Sequence, residues 1–536
     1  MKKIYIISSL ALAGFMTSCY DLDTQPMSGV ITEDQRDEII EKDPSKISAL
    51  SDGVYATYNA NESVVGEFFD FGYPSLMLQF DSRTADFISA QADLYGWFSA
   101  CAEYLDNTAN SSYNQVRWGL MYNLIYGANQ VLGQIDADTE DGMMKYYRAQ
   151  AYGNRAFAYW VLAQIYQFNY ADHKDAQCVP IITEENQEDV AENGAPRASV
   201  KDVYDLIISD LTNGIALCQN NTAAVRADKR YIDINVLYGL RARAYLCMED
   251  FANAASDAQA VINSGRFTAL SATQARLPGF IDYTAPNWIW GIYYATENVM
   301  GLYTLSGMLG SYTYGYAYAG MWKCITDRLW GQISNNDPRK LWWISPSGNS
   351  NAAYYTEADG DAVAYLEEND FPAYAVTKFA PYGNVLGQSQ NEADVPLMRI
   401  EEMYYILAEA QGRGGQLSQG ITTLENFVNG YRWMDRSNPY TCSASSVDEF
   451  VDEIFFQREV ELWGEGMTYF DILRLNKNME RVGTNWTNTA FDMRPYAFNI
   501  NAGDPILIYP IPQNEIDNNA QIDEKDQNTI GTPPTM

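Results

Sequence analysis

Apolar residues recur with a helical period in several long stretches of the chain, and one stretch is a complete unit by itself. Between Asn235 and Gly265 (NVLYGLRARAYLCMEDFANAASDAQAVINSG), Leu237, Leu240, Ala244 and Cys247 recur at helical spacing. The pattern breaks at Met248, Glu249 and Asp250, then resumes with Phe251, Ala254, Ala255, Ala258, Val261 and Ile262 on one face. Gly239, Ala242 and Ala244 are small enough to let two helices approach closely, and Gly265 is placed to end the second helix in the left-handed conformation. Two short amphipathic helices and a tight turn make a tetratricopeptide-like hairpin. Such a hairpin cannot bury its apolar face alone, so neighbours must stack on it.

The rest of the chain supplies them. Asp43 and Pro44 open a predicted helix with face Ile47, Leu50, Val54 and Tyr58. Long helical patterns cover 113–135 and 143–168, followed by an extended piece at 178–183. Ser199 with Asp202 resembles a capping box for a helix reaching Leu217. Helices return at Pro396, with Ile400, Met403, Tyr404 and Leu407 on one face, then Ile421 to Arg432; Ser446 with Glu449 caps 447–463, and 467–475 completes a fourth pair. Two stretches lack the rhythm. Residues 68–106, dense in Gly, aromatic and short polar residues, read as a functional loop, and 267–394 as an irregular region with one strand-like run, Asn287 to Tyr294. The tail from Ile506 to Asn528 reads as strand and then loop. The expected organisation is a signal peptide (1–18), a lipidated tether (19–42), an N-terminal helical scaffold with an early aromatic loop (43–266), an irregular ligand-binding subdomain (267–394), and C-terminal helical pairs with a tail (395–536).

Composition narrows the chemistry. Of 536 residues, 47% are hydrophobic and 19% charged, which argues for a globular body, and a formal charge of -34 argues against nucleic acid or anionic lipid as its partner. A single histidine, His173, excludes His-based triads and zinc sites built on two or three histidines. Cysteines 101, 178, 218, 247, 324 and 442 form no CxxC and no metal framework, and Cys218 and Cys247 read as small buried hydrophobes. No cofactor or metal is expected. Lys2 and Lys3 before the apolar run Ile4 to Phe15 make a secretory signal, too short to span a membrane. Met16-Thr17-Ser18-Cys19 resembles a bacterial lipobox, which makes Cys19 the lipidated residue and acyl chains the link to a membrane.

Taken in order, several motifs resemble the SusD/RagB family of Bacteroidetes surface lipoproteins. They are Gly153-Asn-Arg-Ala156 followed by Val179-Pro180-Ile181, the LRARAYLCMEDFANA hairpin, Trp288-Ile-Trp290, MRIEEMYYILAEA at 398–410, QREVELWGEG at 457–466 with Asp471 and Arg474, and Ile508-Tyr-Pro-Ile-Pro512. The chain departs from the family at Gln457, where Glu is usual, and at Thr468, where a basic residue is common. The resemblance implies a mainly α fold, with four tetratricopeptide-like helix pairs forming a curved scaffold and an irregular, loop-rich subdomain with short strands carrying the ligand site. It also implies glycan binding beside a TonB-dependent outer-membrane transporter, without catalysis, on the outer face of the outer membrane.

Two sets of residues compete for the site. Glu401, Glu402, Glu409, Arg458, Glu459, Glu461, Glu465, Asp471 and Arg474 invite a glycosidase reading, since two carboxylates can hydrolyse a glycosidic bond. On scaffold helices they read better as ion pairs fixing helix register, and none is nominated as catalytic. Aromatic platforms suit the apolar faces of sugar rings. The candidates are Asp81, Arg83, Tyr95 and Trp97 in the early loop and Tyr303, Tyr312, Tyr314, Tyr316 and Trp322 in the later one, where alternation with Gly, Thr and Ala puts the tyrosines on one face if extended. Any one of these tyrosines could instead pack as core, while Trp288 and Trp290 are expected in the core. The expected function is capture of oligosaccharides or polysaccharides. The alternatives are a helical protein–protein adaptor and a surface glycosidase.

Overall fold

A computed structural model describes residues 43, 46–89, 98–277, 279–295, 301–313, 315, 321–355, 371–387, 391–482 and 497–534. The chain divides into a short N-terminal unit, Met1–Ala49, and a body, Leu50–Met536. Cys19 lies outside the described residues.

The first helices are α1 (Ile47–Ala56) and α2 (Tyr73–Ser82). All ten residues of α2 are buried, and a helix enclosed on every side has no apolar stripe, which is why its stretch reads as loop in the sequence. Gly72 precedes it at φ 77°, where a Cβ would also run into the Tyr58 carbonyl oxygen. Strand β1 (Phe87–Ser89) follows, then the long pair α3 (Ser112–Gln134) and α4 (Gly142–Tyr166). Asp141 caps α4 by accepting from the amides of Met143 and Met144 at 2.8 and 3.0 Å. Strands β2 (Gln177–Pro180) and β3 (Arg197–Ser199) pair antiparallel and lead into α5 (Val200–Cys218), with Ser199 accepting from the Asp202 amide.

The hairpin of the opening pattern is α6 (Ile234–Cys247) and α7 (Phe251–Asn263), capped by Asp233 and Asp250; its turn puts Glu249 at φ 60°, and Gly265 has φ 64°. Next come β4 (Trp288–Ile292), β5 (Lys323–Ile325) and β6 (Val395–Arg399). Helix α8 (Ile400–Arg413) therefore begins four residues after Pro396; the residues before it pair antiparallel with β4 in a fully buried ladder. Trp288 and Trp290 are core, each 1% exposed. The chain closes with α9 (Leu417–Phe427), α10 (Val447–Glu461, capped by Ser446), α11 (Thr468–Arg474) and the two-residue pair β7 (Met479–Glu480) and β8 (Asn499–Ile500). Along the stack α3 packs on α4, α4 on α5, α5 on α6, α6 on α7, α7 on α8, and α8 on both α9 and α10. This is the mainly α architecture of stacked helix hairpins.

The tail differs from its strand reading. Residues 506–511 are apolar because they are buried, but Tyr509 donates its amide to the Ile165 carbonyl at the end of α4 and Gln513 to Ala109, so the segment laces helix ends instead of joining a ladder. A short helix, Gln513–Asn518, follows.

Buried ion pairs lock the C-terminal helices. Glu461 of α10 accepts from Arg399 at 2.8 Å, from Arg432 at 2.7 and 2.9 Å and from Arg339 at 3.2 Å. Arg243 of α6 holds Glu402 of α8, Arg458 holds Asp471, and Arg474 clamps Glu409. Burial alone would raise these carboxyls, yet facing arginines hold Glu409, Glu461, Glu465 and Asp471 below the ordinary carboxylate range. All six described cysteines are free thiols.

Candidate functional site

β1 and β5 form a three-residue antiparallel ribbon with Phe87 opposite Ile325, Ile88 opposite Cys324 and Ser89 opposite Lys323. Two further segments extend it. Ala375 bridges Cys324 and Val376 bridges Trp343, so 374–376 lies beside β5 and 343–344 beside that. Main-chain bonds run from Ile325 to Tyr374 at 3.1 Å, from Val376 to Lys323 at 2.9 Å and from Ile344 to Ala375 at 3.0 Å. The side chains between these segments make a buried patch of Ile88, Cys324, Ile344 and Ala375.

Against that patch lean five half-buried aromatic residues, Tyr312, Trp322, Phe371, Tyr374 and Phe498. Tyr312 packs 4.7 Å from Phe371 and edge-on to Tyr355 at 5.5 Å, while Tyr374 meets Trp330 edge-on at 5.6 Å. Burial pushes the Tyr312 phenol up to about 12, so it stays neutral. The indole N–H of Trp322 is buried with no hydrogen-bond partner among the described residues. Phe68, 47% exposed, stacks on Tyr303 at 4.9 Å with the rings 6° from parallel, which joins the early and later stretches at a second point. Beneath the ribbon, Asp86 accepts from both Thr326 and Arg328.

Two predicted ligand residues are framework instead. Arg83 is 0% exposed, and its guanidinium donates to Asp106 at 2.9 Å, to the Ile506 carbonyl at 2.6 Å and to the Tyr469 hydroxyl at 3.1 Å, between the rings of Tyr104 and Tyr509 at 3.9 and 4.4 Å. Its donors are spent on pinning the tail. Asp81 is 2% exposed and accepts from the Gly466 amide at 2.9 Å, with burial pushing its carboxyl up to about 7. Neither reaches a surface where a glycan could touch it.

Tyr303, Tyr312 and Trp322 stand at the aromatic clusters just described, whereas Tyr95, Trp97, Tyr314 and Tyr316 lie outside the described residues. The early stretch nevertheless leaves β1 at Ser89, opposite Lys323, and re-enters at Phe98, whose ring lies 5.8 Å from the Lys323 ammonium. Ser89 and Phe98 therefore both stand beside the residue that follows Trp322. Phe371, Tyr374 and Phe68 escaped the sequence reading. Phe371 and Tyr374 fall in the irregular region without alternation to mark them, and only their membership in an aromatic, Pro-containing run (FPAY) signals them.

A family model described as the SusD family matches residues 255–529, more than half of the chain. The chain belongs to the SusD family. A second family model, described as starch-binding associating with outer membrane, matches residues 73–246. Among relatives, the SusD-like protein P38 of Formosa agariphila is 24% identical over 405 residues, 70% of this chain and 75% of that protein. A SusD-like carbohydrate binding protein from Bacteroides vulgatus superposes with TM-score 0.70 at 22% identity, over 90% of this chain and 97% of its own. The surface glycan-binding protein A of Bacteroides thetaiotaomicron, solved with laminarihexaose, superposes with TM-score 0.63 at 16% identity, over 90% and 99% of the two chains. This SusD-family chain thus shares its fold with solved proteins along almost their full length.

Proposed function

We propose that this protein is a non-catalytic receptor that captures oligosaccharides at the cell surface and passes them to a TonB-dependent outer-membrane transporter, held at the outer membrane by acyl chains on Cys19. The observation that carries the reading is the β1–β5 ribbon, where Ile88 of the early stretch completes the apolar patch that backs a platform of half-buried rings from the later stretch and Phe498. A half-buried ring is fixed from behind and open in front, the arrangement on which the C–H face of a pyranose stacks. Tyr303, Tyr312 and Trp322, with Phe371 and Tyr374, would form part of the surface, and Tyr95, Trp97, Tyr314 and Tyr316, which lie outside the described residues, are proposed as further contacts. Capture of a glucan by a relative of the same fold, the laminarihexaose complex, points the same way.

Binding is favoured over hydrolysis because, of the scaffold carboxylates that invite a glycosidase reading, Glu402, Glu409, Glu461 and Asp471 face arginines at ion-pair distance, while Glu459, raised by burial and by Asp86 beside it, is enclosed with Asp86 in the interior at 5% and 1% exposure. Hydrolysis needs a raised, proton-donating acid opposite a second carboxylate in the sugar cleft. A helical adaptor has no use for an aromatic platform.

Isothermal titration against an oligosaccharide panel that includes laminarihexaose tests the reading. Each stacked ring contributes on the order of 1 kcal/mol, so Trp322→Ala should weaken binding about fivefold, from a starting Kd in the roughly millimolar to micromolar range. Unchanged affinity for every bound glycan, in both Trp322→Ala and Trp97→Ala, would remove the platform from the binding site.

A further inference from the structure

The β1–β5 ribbon is only three residue pairs long, so the ties at its ends decide whether it stays closed. Asp86 directly precedes Phe87 of β1, and Thr326 directly follows Ile325 of β5, the residue paired with Phe87. The Thr326 hydroxyl donates to one Asp86 carboxyl oxygen and Arg328 donates to the other, so the Asp86 side chain closes this end of the ribbon. The same residue fastens the ribbon to the scaffold. The Trp463 indole donates to the Asp86 main-chain carbonyl at 3.0 Å, and the Phe87 ring stacks on Trp463 at 4.6 Å. Glu459, in the last turn of α10, adds a second tie through a hydrogen bond between its carboxyl and that of Asp86.

Two carboxyl groups can share a hydrogen bond only if one of them is protonated, and the contacts show which. Thr326 Oγ1 accepts from the Leu329 amide at 3.2 Å and turns its hydrogen to Asp86, while Arg328 can only donate. Both Asp86 oxygens are thus acceptors, and the proton sits on Glu459. Burial and the Asp86 charge raise the Glu459 carboxyl well above the usual glutamate range, and burial raises Asp86 too, against the pull of Arg328 and Thr326. Arg328, beyond β5, and Lys477, beyond α11, are the cations that face the pair, and Lys477 is also bound to Asp452 at 2.5 Å. Without the proton, two carboxylates would lie side by side in the interior against one guanidinium and an ammonium already shared.

We propose that Glu459 is a positioning residue that holds the β1–β5 ribbon closed through the proton it shares with Asp86, and that the ribbon loosens and glycan affinity falls when that proton leaves. Its departure turns a hydrogen bond into a repulsion between like charges, and α10 then pushes on the end of the ribbon it had tied. Ile88, one residue beyond Phe87, belongs to the patch behind Tyr312 and Trp322, so a loosened ribbon withdraws the backing of those rings. Native Glu459 keeps a proton that the unfolded chain releases in the ordinary glutamate range, so the pair loses stability as pH rises from that range towards the raised one, and alkaline solution opens the ribbon. The fall in affinity rests on the receptor reading; the loosening of the ribbon does not.

Hydrogen exchange of the detergent-solubilised full chain, followed at 87–89 and 323–325 and referred to the amides of α4, tests it. In the wild type, protection at the ribbon should drop about tenfold relative to α4 between about pH 6 and about pH 9, while Glu459→Gln, which keeps a donor for Asp86 and has no proton to lose, should hold it across the range. Glu459→Met fills the same space without a titrating group and should show weaker protection but no pH step, which covers a glutamine variant that fails to fold. Isothermal titration over the same range, with the tightest binder of an oligosaccharide panel that includes laminarihexaose, should show wild-type affinity falling about fivefold and Glu459→Gln constant within about twofold. Ribbon protection in the wild type that does not change with pH, or a step that survives in both variants, would overturn the tie through Glu459. A step in exchange with no change in the affinity of a bound glycan would overturn its positioning role, whereas a step in exchange with no glycan bound at any pH would leave the tie standing and remove the receptor reading.

Discussion

Glu461→Gln changes almost no volume yet strikes a carboxylate that three buried arginines share. Three arginines converge on Glu461, and each serves a different segment: Arg399 ends β6, Arg432 follows α9, and Arg339 begins the run that reaches Ile344 under the aromatic platform. All four side chains are 0% exposed. A glutamine keeps one acceptor oxygen, turns the other position into a donor facing guanidinium donors, and leaves positive charge in excess inside the protein. Disrupting one member of a buried ion-pair cluster costs roughly 3–5 kcal/mol. At ~2.1 cal/mol/K per residue, unfolding a body of this size carries an entropy on the order of 1 kcal/mol/K, so the melting temperature should fall by ~3–5 °C. Arg432 and Arg399, outweighing burial, hold the Glu461 carboxyl well below its usual range, so the native state resists protonating it. Its stabilisation is present above the ordinary glutamate range and is lost as pH falls, and the gap between wild type and variant should close in acid. Calorimetry at pH 7 and at pH 4 measures both effects, with Lys201→Ala, which removes an exposed pair of about half-accessible residues, as the control expected to change stability by less than ~0.5 kcal/mol. A Glu461→Gln protein that melts within a degree of wild type at pH 7 would refute the claim that this cluster ties the segments together.

Asp81, its carboxyl raised to about 7 by burial, holds a proton in the native state that the unfolded chain releases near pH 4, so it subtracts stability as pH rises across that window; Asp81→Asn should gain on wild type between about pH 4 and 7 in urea melts. Gly72→Ala forces a left-handed φ on a side chain that also meets the Tyr58 carbonyl, and chemical denaturation should show a loss of roughly 1–3 kcal/mol. Cys19→Ala should move the protein from the membrane to the soluble fraction, and a variant that still sediments with outer membranes in cells lacking its partner would argue against the acyl anchor.

The amphipathic helices were readable because each buries one face, and α3 to α7 lie within a residue or two of their apolar patterns. Helix α2 was hidden for the opposite reason, being buried all round. The same stretch misled the site assignment. Asp81 and Arg83 look like exposed polar residues in a loop, and only the arrival of Asp106, Ile506, Tyr469 and Gly466 from distant segments makes them interior. The two aromatic stretches could be nominated separately, but nothing local indicates that β1 and β5 pair, because each strand is three residues long and its register is set by a partner elsewhere in the chain.

That pairing also sets how the protein can be taken apart. The bond from Thr326 to Asp86 spans 240 positions of sequence, and Ile88 from β1 completes the apolar patch on which Tyr312 and Trp322 rest. Closing so long a loop is entropically costly and comes late in folding, after the local hairpins have formed. A chain emerging from synthesis or export therefore carries helical units long before it carries a ligand surface. By the same logic the irregular region is not a module: residues 267–394 expressed alone would lack the strand that backs their aromatic face, and grafting them onto another scaffold would transfer the rings without the platform.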